Sequence, residues 1–385
     1  MLLVPDGVSE GVDRCSAAVA ACNAVPDRLL PEWLALAEDA AEPNAFGEAW
    51  FVAPALEHLR DGRTVWVVEV RDEADVLAGV MPMAIEPRYG RIPVRHTSNW
   101  THFQCFMGTP LIREGFEVSF WRATLEMLDA SDWAAGFLSV SGLFEHGRAH
   151  AGLQAAAAQL GRPAATVHRY ERAALRSGLA PEDYLAAALR GKKRKELRRL
   201  SNRLAEMGPV RFAVLERGDE IGRWCDDFLA LESAGWKGVR GSAFANEAAT
   251  ASFFRQVIAG ASNAGRLDFQ RLDLDGRAIA MLVNFRTPPG SWSFKIAYDE
   301  EFSRFSPGVL IEIENLPRVL GDAEIDWMDS CAVEDHPMIN GLWMERRAIV
   351  QVSVPLSGMG RRAKYSACRS AERASAALRG VLGKN

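Results

Sequence analysis

Apolar residues along the chain keep two rhythms in alternation. Phe46, Trp50, Phe51, Leu56 and Leu59 recur at helical spacing, and residues 63–70 then turn to the two-residue alternation of a strand. Residues 76–85 read as a second strand, and Asp72, Glu73, Ala74 and Asp75 between them supply turn chemistry, so the two are predicted to pair as a hairpin. An extended stretch at 106–112, a helix at 118–128, an extended stretch at 133–140, a helix at 145–160 and a strand at 164–170 complete the first half. The second half opens with helices at 181–190 and 192–207, a strand at 210–215 and a helix at 219–233. The sharpest local signal follows: runs at 267–273, 278–285 and 292–298, separated by Asp275-Gly276 and by Pro288-Pro289-Gly290. Asp-Gly accommodates the positive φ angles of a tight hairpin, so this is a three-stranded antiparallel meander. A helix at 309–320 and strands at 324–328 and 342–352 come after it.

The repeated plan predicts an α/β (α+β) protein of two similar domains with mixed, mainly antiparallel sheets flanked by helices. The boundaries fall at a helical lead-in (1–44), an N-terminal domain (45–175), a C-terminal domain (176–355) and a basic helical tail (356–385). A length of 385 residues agrees with two cores. Residues 1–44 are alanine-rich and carry Pro26, Pro31 and Pro43, and little function is expected there.

Charge narrows the function classes. A net charge of -5 argues against whole-molecule attraction to nucleic acid. The six cysteines, Cys15, Cys22, Cys105, Cys225, Cys331 and Cys368, form no CxxC pair and read as reduced, buried thiols. Asp6, Glu10 and Asp13 interrupt any leader, and no apolar run is long enough to span a bilayer, which predicts a cytoplasmic protein. Two basic runs remain. One is Lys192, Lys193, Arg194, Lys195, Arg198, Arg199 and Arg203 on a helix, and the other is Arg361, Arg362, Lys364, Arg369, Arg373 and Arg379 in the tail. Each reads as a solvated face. The tail, with Ala367, Ala371, Ala374, Leu378, Val381 and Leu382, also suits peripheral contact with an anionic membrane.

The first chemical candidate is a helix start. In Arg304-Phe305-Ser306-Pro307-Gly308-Val309, Ser306 suits the N-cap and Pro307 the first helical position. Free N–H groups and the helix dipole favour an anion there, and Gly308 leaves room for a pyrophosphate such as that of a CoA donor. The alternative is a well-capped helix and nothing more.

The ordered series strengthens the first reading. The meander, then Lys295-Ile296-Ala297-Tyr298-Asp299, Ser306-Pro307-Gly308, a helix, residues 324–329 and Gly341-Leu342-Trp343 resemble the GNAT-like acetyltransferase family typified by CelD/BcsL proteins. Upstream, residues 190–204 and 231–238 are similar to the same family. The resemblance covers residues 180–352 well and the first half faintly, and Asn340-Gly341-Leu342-Trp343 lacks the lysine the family often carries. The family is similar to Fem-type peptidoglycan transferases in having two GNAT-like domains in tandem, which implies a donor site in the second domain and an acceptor cleft near the junction.

The resemblance implies acyl transfer from acyl-CoA, as co-substrate and not as a bound cofactor, to an amine of a cell-envelope precursor: an amino sugar of a polysaccharide, or a sphingoid-type long-chain amine. Such a reaction needs no metal. It needs a neutral amine, a polarised thioester carbonyl and a proton route. The candidate catalytic residues are Asp299, Tyr298 and Glu232. Lys295, Arg304, Ser306, Gly308 and Val309 are candidates for donor binding, and Trp236, Lys237 and His102 for the acceptor. Asp326, Asp329, Asp335 and His336 form an acidic loop cluster without metal-ligand spacing. Two other readings stand beside this one: Fem-like transfer from an aminoacyl-tRNA, with the basic helix at 192–203 facing the tRNA, and a non-catalytic binding module of the same fold.

Overall fold

The computed structural model describes residues 15–22, 24–216 and 218–382, with side chains through residue 374. The first half contains β1 (Ser16–Ala21), α1 (Leu29–Glu38), α2 (Ala49–His58), β2 (Trp66–Arg71), β3 (Leu77–Glu86), β4 (His96–Asn99), β5 (Leu111–Ile112), α3 (Glu117–Ala130), β6 (Phe137–Phe144), α4 (Arg148–Gln159) and β7 (Ala165–Leu175). The second contains α5 (Pro181–Ala188), α6 (Gly191–Ala205), β8 (Val210–Val214), α7 (Ile221–Ala234), α8 (Trp236–Val239), α9 (Ala248–Asn263), β9 (Leu267–Leu274), β10 (Arg277–Thr287), β11 (Gly290–Tyr298), α10 (Pro307–Leu320), β12 (Trp327–Asp329), β13 (Glu345–Pro355) and α11 (Met359–Leu382).

All of these strands join one mixed sheet in the order β1-β2-β3-β4-β6-β13-β7-β12-β11-β10-β9-β8, with β5 on β3. The halves are interleaved at its centre. β13, from the end of the second half, lies between β6 and β7, and β7, from the end of the first, pairs with β12. Only β4 with β6 and β11 with β12 are parallel. This is the predicted α/β class, with a large mixed sheet flanked by helices. The predicted meander is β9-β10-β11, whose first turn carries Asp275 and Gly276 at φ 51° and 78°.

The lead-in differs from expectation. Residues 1–14 lie outside the described residues, but Ser16–Ala21 is an edge strand antiparallel to β2, not helix. Pairing with β2 supplies hydrogen-bond partners that a short alanine-rich helix next to Pro26 would have to find within itself. The 16-residue α9 has no counterpart in the sequence reading. It packs across α2, and Gly260 permits the approach, since a Cβ there would lie 3.0 Å from Cβ of Trp50. The main buried cluster therefore runs without a break from Trp33 and Phe51 in the first half to Phe253 and Trp292 in the second.

The tail is helical, and its beginning is held to the first half: Tyr365 and Cys368 pack on Tyr89 and Phe137, and Arg361 donates to the carbonyls of Leu128, Asp129, Ser131 and Ala134. The side chains of Leu378, Arg379, Val381 and Leu382 lie outside those described. No helix among the described residues is long and apolar enough to cross a membrane.

Candidate active site

β11 and β12 run side by side for three residues, Gly290 to Trp292 opposite Trp327 to Asp329, and then part. Cys331 adopts φ 52° and turns the chain away from β11. On its other edge β11 stays paired with β10 throughout, but the register slips: Val283 faces Lys295 and Asn284 faces Ser293. Phe294 is thus the extra residue of a bulge, a device that bends a strand and re-aims its side chains. From Ser293 onward β11 has a free edge. The Ile296 carbonyl accepts a 3.0 Å hydrogen bond from Nζ of Lys237, which also donates to Oε1 of Glu232 at 3.0 Å. Oε2 of Glu232 accepts from the Phe244 N–H at 2.8 Å, so this buried carboxylate ties α7, α8 and the following turn to the open strand.

Beside this edge Lys295 points into a ring enclosure. Its Nζ lies 4.8 Å from the centroid of Phe106, 5.2 Å from Phe244, 5.5 Å from Phe294 and 5.7 Å from Phe103. Phe103 and Phe106 belong to the first half and the other two to the second. Burial, helped by the Lys237 charge and opposed by Glu232, lowers the Lys295 pKa to about 7. The ring faces attract a cation, yet the loss of water outweighs them.

Behind the enclosure His102 stacks on Phe51 and accepts from the Gln104 N–H, and burial, with Lys295 adding to it, lowers its pKa to about 3. It is therefore a neutral packing ring. On the far side Arg172 and Asp329 form a buried 2.7 Å ion pair, and Arg172 donates to the Phe106 carbonyl, which fixes that wall of the enclosure.

Of the residues singled out in the sequence, Glu232, Lys237 and Lys295 converge. Trp236 stands exposed at the rim with Arg240 over its ring. Tyr298 lies on the opposite face of β11, against the first turn of α10: a Cβ on Gly308 would sit 3.3 Å from Cδ1 of Tyr298. Asp299 is directed elsewhere. It caps the turn that follows by accepting from the Glu301 N–H and pairs with Arg277, so both oxygens are engaged. Arg304 is exposed and lies over Phe305.

Pro307 opens the helix as expected, but Ser306 is left-handed at φ 55° and its side chain makes no capping bond. Val309 and Leu310 both donate to the Ser306 carbonyl, and Pro307 has no N–H, so Gly308 keeps the one first-turn N–H without a partner among the described residues. In the acidic loop cluster Asp329 is the partner of Arg172, and His336 accepts from the Ile339 N–H. Among the described residues no group of three or more His, Cys, Asp or Glu side chains could hold a metal ion. The four phenylalanines, Arg172 and Cys331 were missed by sequence reasoning, because pairings between the two halves are what bring Phe103, Phe106 and Arg172 to β11 and β12.

Residues 191–331 match the family described as acetyltransferase (GNAT) domain. This part of the chain resembles a GNAT domain. The whole chain is similar in structure to a conserved protein of unknown function from Bacteroides thetaiotaomicron, with a TM-score of 0.55 and 12% identity over 88% of this chain and 100% of that one. It is also similar to FemX, with a TM-score of 0.52 and 10% identity over 84% and 95%. A third likeness is to the C-terminal domain of a putative lysylphosphatidylglycerol synthetase from Agrobacterium fabrum, with a TM-score of 0.50 and 13% identity over 87% and 95%. At these identities the likeness is one of fold. No curated protein matches the sequence.

Proposed function

We propose that this GNAT-fold protein is an acyl-CoA-dependent N-acyltransferase acting on an amine of a cell-envelope precursor, an amino sugar or a sphingoid-type long-chain amine, at the cytoplasmic face of the membrane. The observation that carries the reading is Lys295, a lysine with a pKa of about 7 held at the mouth of the open β11 edge.

In an extended strand the N–H of a residue points to the same side as its C=O, so the Ile296 N–H faces the open edge and is placed to polarise a thioester carbonyl. The amine nitrogen attacks that carbonyl carbon, the C–S bond breaks, and the thiolate leaves as CoA. The ammonium form of the acceptor must first lose a proton. Neutral Lys295 accepts it and, as the ammonium, passes it to the departing thiolate; the second proton, lost by the nitrogen as the amide forms, goes to Lys295 in turn and from there to solvent, which balances the step. Burial sets the Lys295 pKa, Lys237 and Glu232 adjust it in opposite directions and hold the strand edge, while Gly308 at the start of α10 offers its N–H to a donor phosphate.

The test is thiol release by the purified chain, scanning acetyl-CoA through long-chain acyl-CoAs against an amino sugar and a sphingoid base. Release that requires both partners supports the reading, and silence with every pair removes it. One observation favours a second reading, transfer from an aminoacyl-tRNA. On α6, Lys192, Lys193, Arg194, Lys195 and Arg198 are exposed and carry no ion pair among the described residues, and α6 packs against the turn at residues 300–305. Activity abolished by ribonuclease would select it.

A further inference from the structure

A second cavity, of about 470 Å³, opens where the interleaved strands meet, between the ends of β6 and β7 and the beginnings of β12 and β13. Its floor is Arg347, whose guanidinium carbon lies 3.8 Å from the Trp327 ring centroid and 4.0 Å from that of Phe144. Two aromatic faces thus fix a planar cation in one orientation. Nη1 of Arg347 is buried without a hydrogen-bond partner, and the guanidinium makes no ion pair among the described residues. Burial lowers its pKa to about 10, with Asp329 and Glu42 acting against it from a distance, so the group stays charged without a carboxylate in direct contact. Arg176 lines the same cavity, and its guanidinium likewise has no ion pair or hydrogen bond among the described residues.

The acids around the cavity are already engaged. Glu42 accepts from the Arg148 and Ala149 N–H groups at the start of α4, and burial raises its pKa. Glu145 is paired with Arg169. Glu345 accepts from the Tyr184 hydroxyl. Arg346 spends its donors on the carbonyls of Asn340, Trp343 and Glu345. With Glu145 and Arg169 cancelling, three guanidinium charges face Glu42 and Glu345, and two of the three have free donors.

A buried cation without a partner is costly and is satisfied by an anion that can accept its fork of donors. We propose that this cavity is a binding site for a phosphate monoester or diphosphate of a small molecule, held by Arg347 and Arg176 and separate from the β11 edge. The proposal does not depend on the acyl-transfer reading. The cavity shares a wall of rings with the Lys295 enclosure, since Trp327, Trp292, Phe46 and Phe106 are in successive contact at 5.2, 5.4 and 5.7 Å.

Calorimetric titration of the full chain with inorganic pyrophosphate tests this, with inorganic phosphate and malonate as comparison ligands. The expected result is saturable pyrophosphate binding, weakened at least about tenfold by Arg176→Gln and by Arg347→Met, given that a charged hydrogen-bonded contact is worth about 1.5–3 kcal/mol. Arg176 is exposed, so Arg176→Gln leaves the fold in place if Arg347→Met does not. Binding unchanged in Arg176→Gln, no binding at all, or malonate binding as tightly as pyrophosphate would each overturn the assignment.

Discussion

The two halves build the same junction and finish it differently. In the first, β4 and β6 run parallel for Thr97 and Ser98 opposite Leu138 and Ser139, as β11 and β12 do in the second. Beyond that point the first half closes its gap with its own chain. The Asn99 side chain donates to the carbonyls of Gly108 and Ser141 and accepts from the Ser141 N–H, and Gly108 packs so closely that a Cβ would lie 2.2 Å from the Ser141 oxygen. In the second half, among the described residues, the open edge of β11 is met by Lys237 alone, which donates to the Ile296 carbonyl. The helix after each junction differs as well. α3 begins with Glu117, paired with Arg148, where an anion would be repelled, whereas α10 begins with Pro307 and Gly308. One half has thus become a wall that supplies Phe103 and Phe106, and the other keeps a strand edge unpaired beyond Trp292 among the described residues.

The largest expected effect comes from Lys295→Met. If the open edge is the working one, thiol release falls about a thousandfold, within the range of a lost general base. The same variant gains stability. A lysine whose folded pKa is about 7 and whose ordinary value is 10.5 penalises the folded state at every pH below 10.5, most fully below 7. Removing it raises stability at pH 6 by up to about 4 kcal/mol. Loss of activity together with a higher Tm marks a functional lysine; loss of both would make it structural.

Asn99→Ala addresses the closed junction. Three buried hydrogen bonds disappear and the partners on Gly108 and Ser141 lose their donor or acceptor, so chemical denaturation should show a loss of about 3 kcal/mol. Acyl-CoA affinity measured well below the midpoint should hardly change, because the donor edge lies in the other half. A large fall in donor affinity would mean that both junctions serve the ligand.

The contrast between the halves was only partly legible in the sequence. The meander, the Asp275-Gly276 turn and Pro307 as the first residue of α10 are local features, fixed by neighbours a few residues apart, and they were read correctly, whereas the Ser306 side chain does not cap the helix. Lys295 and Tyr298 could not be assigned to faces from spacing alone, because the bulge at Phe294 shifts the alternation that such an argument counts. Asp299 drew attention because it follows the last meander strand next to the proposed donor loop, whereas its carboxylate caps the next turn and pairs with Arg277 at the start of the preceding strand. The ring enclosure joins residues near 103, 244 and 294, and the exchange of β7 and β13 is decided by pairings between halves, which no window along the chain contains.

Lys237 and Glu232 sharpen the account of the open edge through opposite pH effects. The Lys237 charge lowers the Lys295 pKa and Glu232 raises it. In kcat/KM profiles, which should rise with pH through about 7 as Lys295 becomes neutral, Lys237→Met should move the limb to higher pH and Glu232→Gln to lower pH. Each should cost about tenfold to a hundredfold in rate, since both also position β11. Displacements in the same direction would separate these residues from the titration of Lys295.

Gly308→Ala is the mildest test and the one most specific to the helix start. A Cβ there would meet Cδ1 of Tyr298 at 3.3 Å and Ile296 and Met338 at 3.6 Å, tight contacts with side chains that have some room to move. Alanine also favours helix over glycine by about 1 kcal/mol, so the two effects offset and net stability should change by less than about 1 kcal/mol. The consequence should appear in binding instead. Shifting the first turn displaces the one N–H it leaves unpaired, and CoA affinity measured by titration should fall several-fold while the pH limb set by Lys295 stays in place. An unchanged affinity would detach the donor phosphates from α10 and leave the free edge of β11 as the only feature that distinguishes the second half from the first.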